Sequence, residues 1–436
     1  MLFIYTPRIT KRLNYIFKLF FKDIIRVPYL LSSDFEAFQL FEGPKFIYGN
    51  DYKNHPLFFG SAEILFESGL NSLELNTVEH KNFQVPFPIY HKSSLLPFDI
   101  FAASFYFVSR YEEYMPYRKD PYGRYTAHES FAYNHGFLHK PIINIWAHEI
   151  AEIIQEYYPE FETNFQQFEF IPTYDIDQAW SYYQKGLTRN IGGFLRDLSH
   201  FDIHKMAQRF RVLFRKEQDP FDTFEYQFAL QKQYKLKPIY FILFSLLGPF
   251  DKNISPDNNT FKALIKSLAD RAKIGTHLSY ASNENPDLIK CESQNLEKVI
   301  KVEITKSRQH YLKLHLPETY RNLLALDLME DYTMGYAAEP GFRAGICTPF
   351  FFYDLDYETE TKLRVFPFAV MDGTLRDYKN VGIEEAKAII QSLIYEVKAV
   401  NGTFISLWHN ESLSDQDRWK GWREVYTYLL SKIHAS

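Results

Sequence analysis

Residues 168–178 read Phe168-Glu169-Phe170-Ile171-Pro172-Thr173-Tyr174-Asp175-Ile176-Asp177-Gln178. The mainly apolar run from Phe168 to Ile171 predicts a buried strand, with two aspartates at its carboxyl end. Side chains alternate faces along a strand, so residues two apart point the same way. Asp175 and Asp177 therefore share a face. Paired carboxylates repel unless a cation separates them. The spacing suits one aspartate as a metal ligand and its neighbour as a base. A strand end passing into an Asx turn gives the same pattern.

Working outward, strand-like and helix-like segments alternate from about residue 168 to the carboxyl end. The strands are expected at Phe168–Asp177, Pro238–Leu247, Lys273–Tyr280, Arg308–Leu314, Tyr332–Ala337, Val365–Asp372 and Thr403–His409. Helices are expected at 222–234, from Asn259 onward, at 296–307, from Pro317-Glu318 onward, at 384–400 and at 419–433. Such alternation predicts a parallel sheet with crossover helices, and about seven units in roughly 270 residues fit a β/α barrel. Residues 1–165 read differently, with dense turn signals (Gly49-Asn50-Asp51, Asp120-Pro121-Tyr122-Gly123) and amphipathic helices at Ile100–Tyr111 and Pro141–Tyr157. The expected organisation is a smaller α/β domain over 1–165, covering one side of the barrel mouth, and a barrel domain over 166–436.

A chain of 436 residues exceeds one ordinary core. Its 46% apolar and 24% charged residues predict a globular protein, and a net charge of -5 leaves no electrostatic footprint for nucleic acid. Cys291 and Cys347 are the only cysteines, which predicts reduced thiols and a cytoplasmic location. The apolar stretch 239–250 is too short to span a bilayer. Near the N-terminus, Ile16, Phe17, Leu19, Phe20 and Phe21 stand among lysines and arginines. They predict a helix that either packs on its own domain or makes peripheral membrane contact.

The carboxyl ends of the expected strands collect chemistry. His277 ends Lys273–Tyr280, Arg308 and His310 share a face two residues apart, Asp372 closes the sixth strand and His409 closes the last. Each histidine alone reads as readily as a structural residue. Together they put two carboxylates, three histidines and an arginine on neighbouring strand ends, where barrels gather functional groups.

This order of motifs resembles the polysaccharide deacetylase superfamily, carbohydrate esterase family four, over about residues 168–436. Thr173–Asp177 is similar to that family's first motif, Lys273–Tyr280 to the second, Arg308–Tyr311 to the third and Leu407–Asn410 to the fifth. A closer likeness is to an uncharacterised branch common in Bacteroidetes, carried by Arg308-Gln309-His310-Tyr311, Gly341–Gly345, Met371–Leu375 and, in the N-terminal part, Leu96–Tyr114. The resemblance implies a distorted (β/α)7 barrel with Asp175 as base, Arg308 orienting it and His409 as the catalytic histidine. Asp177 and His277 would bind a divalent metal, expected to be zinc.

One departure stands out. The second motif of the family carries another histidine four residues after the first, and here that position is Ala281. A catalytic divalent ion usually has three protein ligands, so His310 is expected to replace the missing one. Tyr311, Trp408, Asn410, Arg343 and Asp372 are candidates for shaping the pocket or binding substrate, with Arg343 and Asp372 equally readable as a structural ion pair. The implied activity is hydrolysis of N- or O-acetyl groups on an acetylated sugar or glycan. The alternatives are a metal-independent amidase acting on a carbon–nitrogen substrate and a catalytically silent glycan-binding homologue.

Overall fold

The 168–177 stretch is the strand that organises the larger sheet. The structure is a computed structural model and describes residues 1–435. In chain order its strands are β1 (Leu2–Tyr5), β2 (Tyr29–Ser32), β3 (Lys45–Gly49), β4 (Phe58–Gly60), β5 (Thr77–His80), β6 (Phe83–Pro86), β7 (Glu169–Ile176), β8 (Ile239–Ile242), β9 (Lys273–Leu278), β10 (Lys306–Gln309), β11 (Glu330–Asp331), β12 (Phe350–Asp354), β13 (Thr359–Val365), β14 (Val370–Met371) and β15 (Thr403–His409). The first four form a parallel sheet in the order β2-β1-β3-β4, and β5 and β6 form a hairpin. The remaining nine form one sheet, β12-β13-β11-β10-β9-β8-β7-β15-β14, parallel except where β12 runs against β13. The fold is mixed α/β, with helices connecting the parallel strands.

Parallel register decides the site. His409 pairs with Asp175 across β15 and β7, and Arg308 pairs with His277 across β10 and β9. On the other face of β7, Tyr174 lies beside Tyr240 and Tyr426, so alternation leaves Thr173 and Asp175 facing the opposite way. Ile239 and Phe241 of β8, Ile405 and Leu407 of β15, Met371 of β14 and the adjacent Tyr332, Phe366 and Phe368 form a separate apolar cluster.

Several expected boundaries shift: Pro238–Leu247 ends as β8 at Ile242, Arg308–Leu314 ends as β10 at Gln309, and three more differ for local reasons. Pairing in β11 stops at Asp331, because its carboxylate takes the backbone N–H of Thr333 (2.9 Å) and the Thr333 hydroxyl (2.7 Å), so Tyr332–Ala337 continues as a buried loop instead of a strand. The helix expected at 296–307 starts earlier and runs Pro286–Ile300: Asn285 caps it, Pro286 occupies its first turn, and Lys301 ends it in the left-handed region. The strand expected over 365–372 is split between β13 and β14.

In the N-terminal region, the helix Lys11–Phe17 continues as Lys18–Ile24. Ile16, Phe17, Leu19, Phe20 and Phe21 are all buried, so this apolar face is taken up by the protein's own core rather than offered to a membrane. Phe101, on the helix Ile100–Val108, packs edge-on against Phe17 and Phe20.

Candidate metal centre

At the carboxyl ends of β7, β9, β10 and β15, Asp177, His277 and His310 each aim a ligand atom at the others, all within 4.8 Å. His277 Nε2 lies 3.2 Å from Asp177 Oδ1, and His310 Nε2 lies 3.5 Å from Asp177 Oδ2. His409 Nε2 stands 3.7 Å from the same Oδ2. Three imidazoles thus converge on one partly exposed carboxylate.

The far nitrogens of these rings are fixed. His277 Nδ1 donates to the Arg308 carbonyl at 3.0 Å. His310 Nδ1 donates to Asp251 Oδ1 at 2.7 Å, and His409 Nδ1 to Asp372 Oδ1 at 2.8 Å. A carbonyl or carboxylate can only accept, so each Nδ1 carries the hydrogen. In the neutral ring Nε2 is then a lone pair facing the carboxylate. Asp177 Oδ1 is buried without a hydrogen-bond partner. Lone pairs that face one another across such gaps suit a cation, and anchoring the outer nitrogen on oxygen is how metal-binding histidines are usually oriented.

The same geometry moves the proton equilibria. Burial works against the charge of Asp177, but His310, His277 and His409 outweigh it and hold the carboxyl well below its ordinary range. Burial likewise opposes the charge of His310, yet Asp177 and Asp251 prevail and raise it to about 9. His409 is also raised well above its ordinary value, because Asp372 overcomes the burial. A site that favours protonated histidines around a carboxylate is one that favours positive charge at that point, which a metal ion also supplies.

Asp175 is buried beside this cluster. Arg308 Nη1 donates to Asp175 Oδ1 at 2.6 Å and to Thr173 Oγ1 at 2.9 Å, while its Nε donates to the Tyr332 carbonyl. The guanidinium has no exposure and lies 4.4 Å from the Phe241 ring. Asp175 Oδ2 is 3.6 Å from His277 Nε2. One oxygen is therefore held by the arginine while the other faces the cluster.

A cavity of about 270 Å³ opens above these groups. Asp175, Asp177, His277, His310, Tyr311 and His409 all line it. Tyr311 sits in the left-handed region (φ 61°), as does Leu312 (φ 55°), in the turn that follows β10. Adjacent non-glycine residues there are strained and cluster at functional sites. Arg124, from the N-terminal region, donates to the Tyr311 carbonyl at 2.9 Å and lines the same cavity. Tyr122 packs on the Tyr311 ring. Arg124 thus contributes to one wall of the cavity from the 120–124 turn.

The remaining sequence candidates lie elsewhere. Arg343 is buried against Glu113, with Nε–Oε1 at 2.9 Å and Nη2–Oε2 at 2.6 Å, and its Nη1 donates to the Gly335 carbonyl. It is almost wholly buried and does not line the cavity. Trp408 sits one residue out of phase with Leu407 and His409, so it faces away and packs on Tyr426. Asn410 spends its amide on the Gln178 and Phe221 carbonyls. Asp372 holds His409 through both Nδ1 and the backbone N–H rather than facing substrate. Asp251 escaped the sequence reading: it stands in the loop after β8, distant in sequence from His310, and Gly248-Pro249 marks only a turn there.

A family model described as a family of unknown function, DUF7033, matches residues 2–159. No curated protein matches the chain. Among solved structures the chain is similar to a protein from Mycobacterium smegmatis provisionally named a polysaccharide deacetylase, at 12% identity and a TM-score of 0.39, covering 61% of this chain and 85% of that one. It is similar to a polysaccharide deacetylase from Bacillus cereus at 11% identity and a TM-score of 0.30 (61% and 86% covered). It is also similar to the Puue allantoinase at 9% identity and a TM-score of 0.34 (61% and 84% covered).

Proposed function

We propose that residues 166–436 form a metal-dependent hydrolase of the polysaccharide deacetylase superfamily, removing N- or O-acetyl groups from a sugar or glycan. The observation that carries this reading is the convergence of His277 Nε2 and His310 Nε2 on Asp177, with both outer nitrogens already anchored and Asp177 Oδ1 left without a partner. His310 takes the third position that Ala281 leaves vacant. Zinc suits a set of two imidazoles and one carboxylate with an open position. When bound, the ion supplies Lewis acidity and makes water nucleophilic near neutral pH.

The chain's own residues then divide the work. Asp175 is the general base: Arg308 restrains one oxygen, and the other faces the cavity. His409 is the general acid. Its Nδ1 is committed to Asp372, so a proton on Nε2 points toward the cluster, where the leaving amine or hydroxyl would receive it. Arg124 lines the cavity from the N-terminal side and Tyr122 packs on Tyr311, which supports reading 1–165 as an accessory domain that limits substrate shape.

Barrel closure belongs to the same proposal. The segment after β13 donates from Phe366 to the Asp331 carbonyl (2.8 Å), from Phe368 to Met334 (3.1 Å) and from Ala369 to Ile405 (2.9 Å). It thereby passes from the side of β11 to the side of β15, joining the two ends of the series β7 to β11 and β15. We read this as a seven-stranded barrel in which β13 and β14 share one position.

The test is the metal content of the purified protein beside His277→Ala and His310→Ala, followed by acetate release from acetylated sugars. About one ion per chain in the parent, lost in both variants, is expected. A parent that stays metal-free after zinc, cobalt and nickel are offered would overturn the metallohydrolase reading.

A further inference from the structure

The helices Gly186–Ser199 and Ile203–Leu213 form a hairpin that is inside out. Leu187, Ile191, Leu195 and Leu198 make one stripe along the first helix, and all are exposed, Leu187 at 76%. Phe201 (85%) and Ile203 (75%) stand at the turn, and Phe210 and Phe214 extend the surface along the second helix. Of the buried residues, Asn190, Asp197, Gln208 and Arg209 are polar and only Val212 is apolar. Arg209 ties the two helices through Asp197 (2.6 Å) and Asn190 (3.2 Å), and its guanidinium fills the space beside Gly193 that a Cβ would occupy. This polar seam fixes which faces look inward and leaves the apolar ones in solvent. Arg189 continues the seam by donating to the Lys252 and Asn253 carbonyls, which sets the exposed Leu246 and Leu247 loop beside the hairpin. Phe250, in that loop, lines the catalytic cavity.

An apolar surface of this extent is a contact site on a soluble domain. The local charge identifies its partner. Residues 185–217 hold eight lysines and arginines against two aspartates and Glu217, which pairs with Arg211 at 2.6 Å, in a chain whose net charge is -5. A cleft between the hairpin and residues 411–419 is lined by Lys185, Arg189, Arg196 and Lys205 beside the carboxylates of Asp197, Glu411 and Asp417, and it shares Lys252 and Arg418 with the catalytic cavity. Within it Lys185 bonds only the neutral Gln178 side chain, and with burial first and Arg189 next as causes its pKa falls to about 8. An apolar face framed by cations is the pattern of a helix lying in the headgroup layer of an anionic bilayer. Among the described residues, no helix is long and apolar enough to cross a membrane. We propose that the 186–214 hairpin docks this protein on an anionic membrane surface, with the catalytic cavity opening at the edge of the contact.

Sedimentation of the full chain with vesicles tests this. Vesicles of equal parts phosphatidylcholine and phosphatidylglycerol should pellet the protein, phosphatidylcholine alone should do so poorly, and added salt should weaken the binding. The triple variant Leu195→Ser/Phe201→Ser/Phe214→Ser should lose about tenfold or more of the binding with an unchanged circular dichroism spectrum. Arg211→Glu/Arg215→Glu should remove the preference for the anionic vesicles. His277→Ala should bind vesicles like the parent, because the surface does not depend on the metal centre. Absence of pelleting with either vesicle would overturn the proposal. So would a dimer in solution that the triple variant splits, since a second copy would then be the occupant.

Discussion

Two buried clusters of charge sit within this molecule, and they are built in opposite ways. In the first, Arg110, Glu112, Glu113 and Arg343 alternate cation and anion: Arg110 bonds both glutamates at 2.7 Å, and Arg343 grips Glu113 through two nitrogens. Donors meet acceptors, and the cluster is closed. In the second, Asp177 faces His277 Nε2 and His310 Nε2, and one carboxylate oxygen has no partner. Donors there point outward, to Asp251 and the Arg308 carbonyl, and acceptors point inward. A closed cluster holds a fold together, whereas one with its acceptors turned inward is arranged to receive a cation.

The largest expected effect tests the open cluster. Asp175→Asn should lower kcat by about 10²–10⁴-fold, the usual weight of a general base, while the ion content stays unchanged. Asp177→Asn should abolish both ion binding and turnover. Equal loss of the ion in the two variants, read by elemental analysis, would remove the distinction between base and ligand.

The closed cluster breaks differently. Arg343→Met leaves Glu113 buried with Arg110 as its remaining cation, and should cost about 3 kcal/mol in urea unfolding, the lower end for breaking a buried ion pair. Ion content and KM should not move. A variant of full stability with raised KM would return Arg343 to the substrate.

Sequence reasoning could not tell these clusters apart. Arg343 and Arg308 both precede small or polar residues, and both are buried; the family resemblance assigned Arg308 to Asp175, as its hydrogen bond has it, but no signal in the sequence pairs Arg343 with Glu113. β15 matches its expected span because a short, mainly apolar run follows the turn signal Asn401-Gly402 and ends before the polar Asn410-Glu411. β7 lies within one residue of its expected bounds. The β12–β13 pair was invisible as strands, since Thr359–Val365 carries its charged residues on an exposed face and reads as loop. Asp251 could not be found at all: it acts through a contact between two loops, and nothing local to it encodes that contact. The helices of the 186–214 hairpin lie outside the expected set, and the structure turns their apolar stripe outward.

Glu292 lies between the two classes. It is a buried carboxylate that takes the Ser279 N–H (3.0 Å) and hydroxyl (2.6 Å), with no cation at hand. Burial, then the nearby charge of Asp251, raises it to about 7 despite those bonds. A raised carboxyl pKa means that folding favours the protonated form. The stability it contributes is complete below the unfolded value near 4.3 and is lost as pH rises through about 7. The loss should approach roughly 3 kcal/mol, and Glu292→Gln should flatten it. Unfolding free energies with the same slope between pH 5 and pH 7 in both proteins would show that Glu292 is not the group responsible.

The smallest effect discriminates most finely. Asp251→Asn keeps an oxygen that can accept from His310 Nδ1, so the ring should hold its orientation. The negative charge behind the ring is lost, and with it part of the basicity of Nε2. Changes at such outer partners cost about 10–100-fold in metal affinity. If His310 is a ligand, Asp251→Asn should weaken zinc by that amount, and His310→Ala should weaken it further. If His310 only packs beside Asp177, both variants should hold zinc as tightly as the parent. Two substitutions on one axis, Asp251 to His310 to Asp177, therefore decide whether the cluster is a three-residue centre or an aspartate and histidine with a bystander.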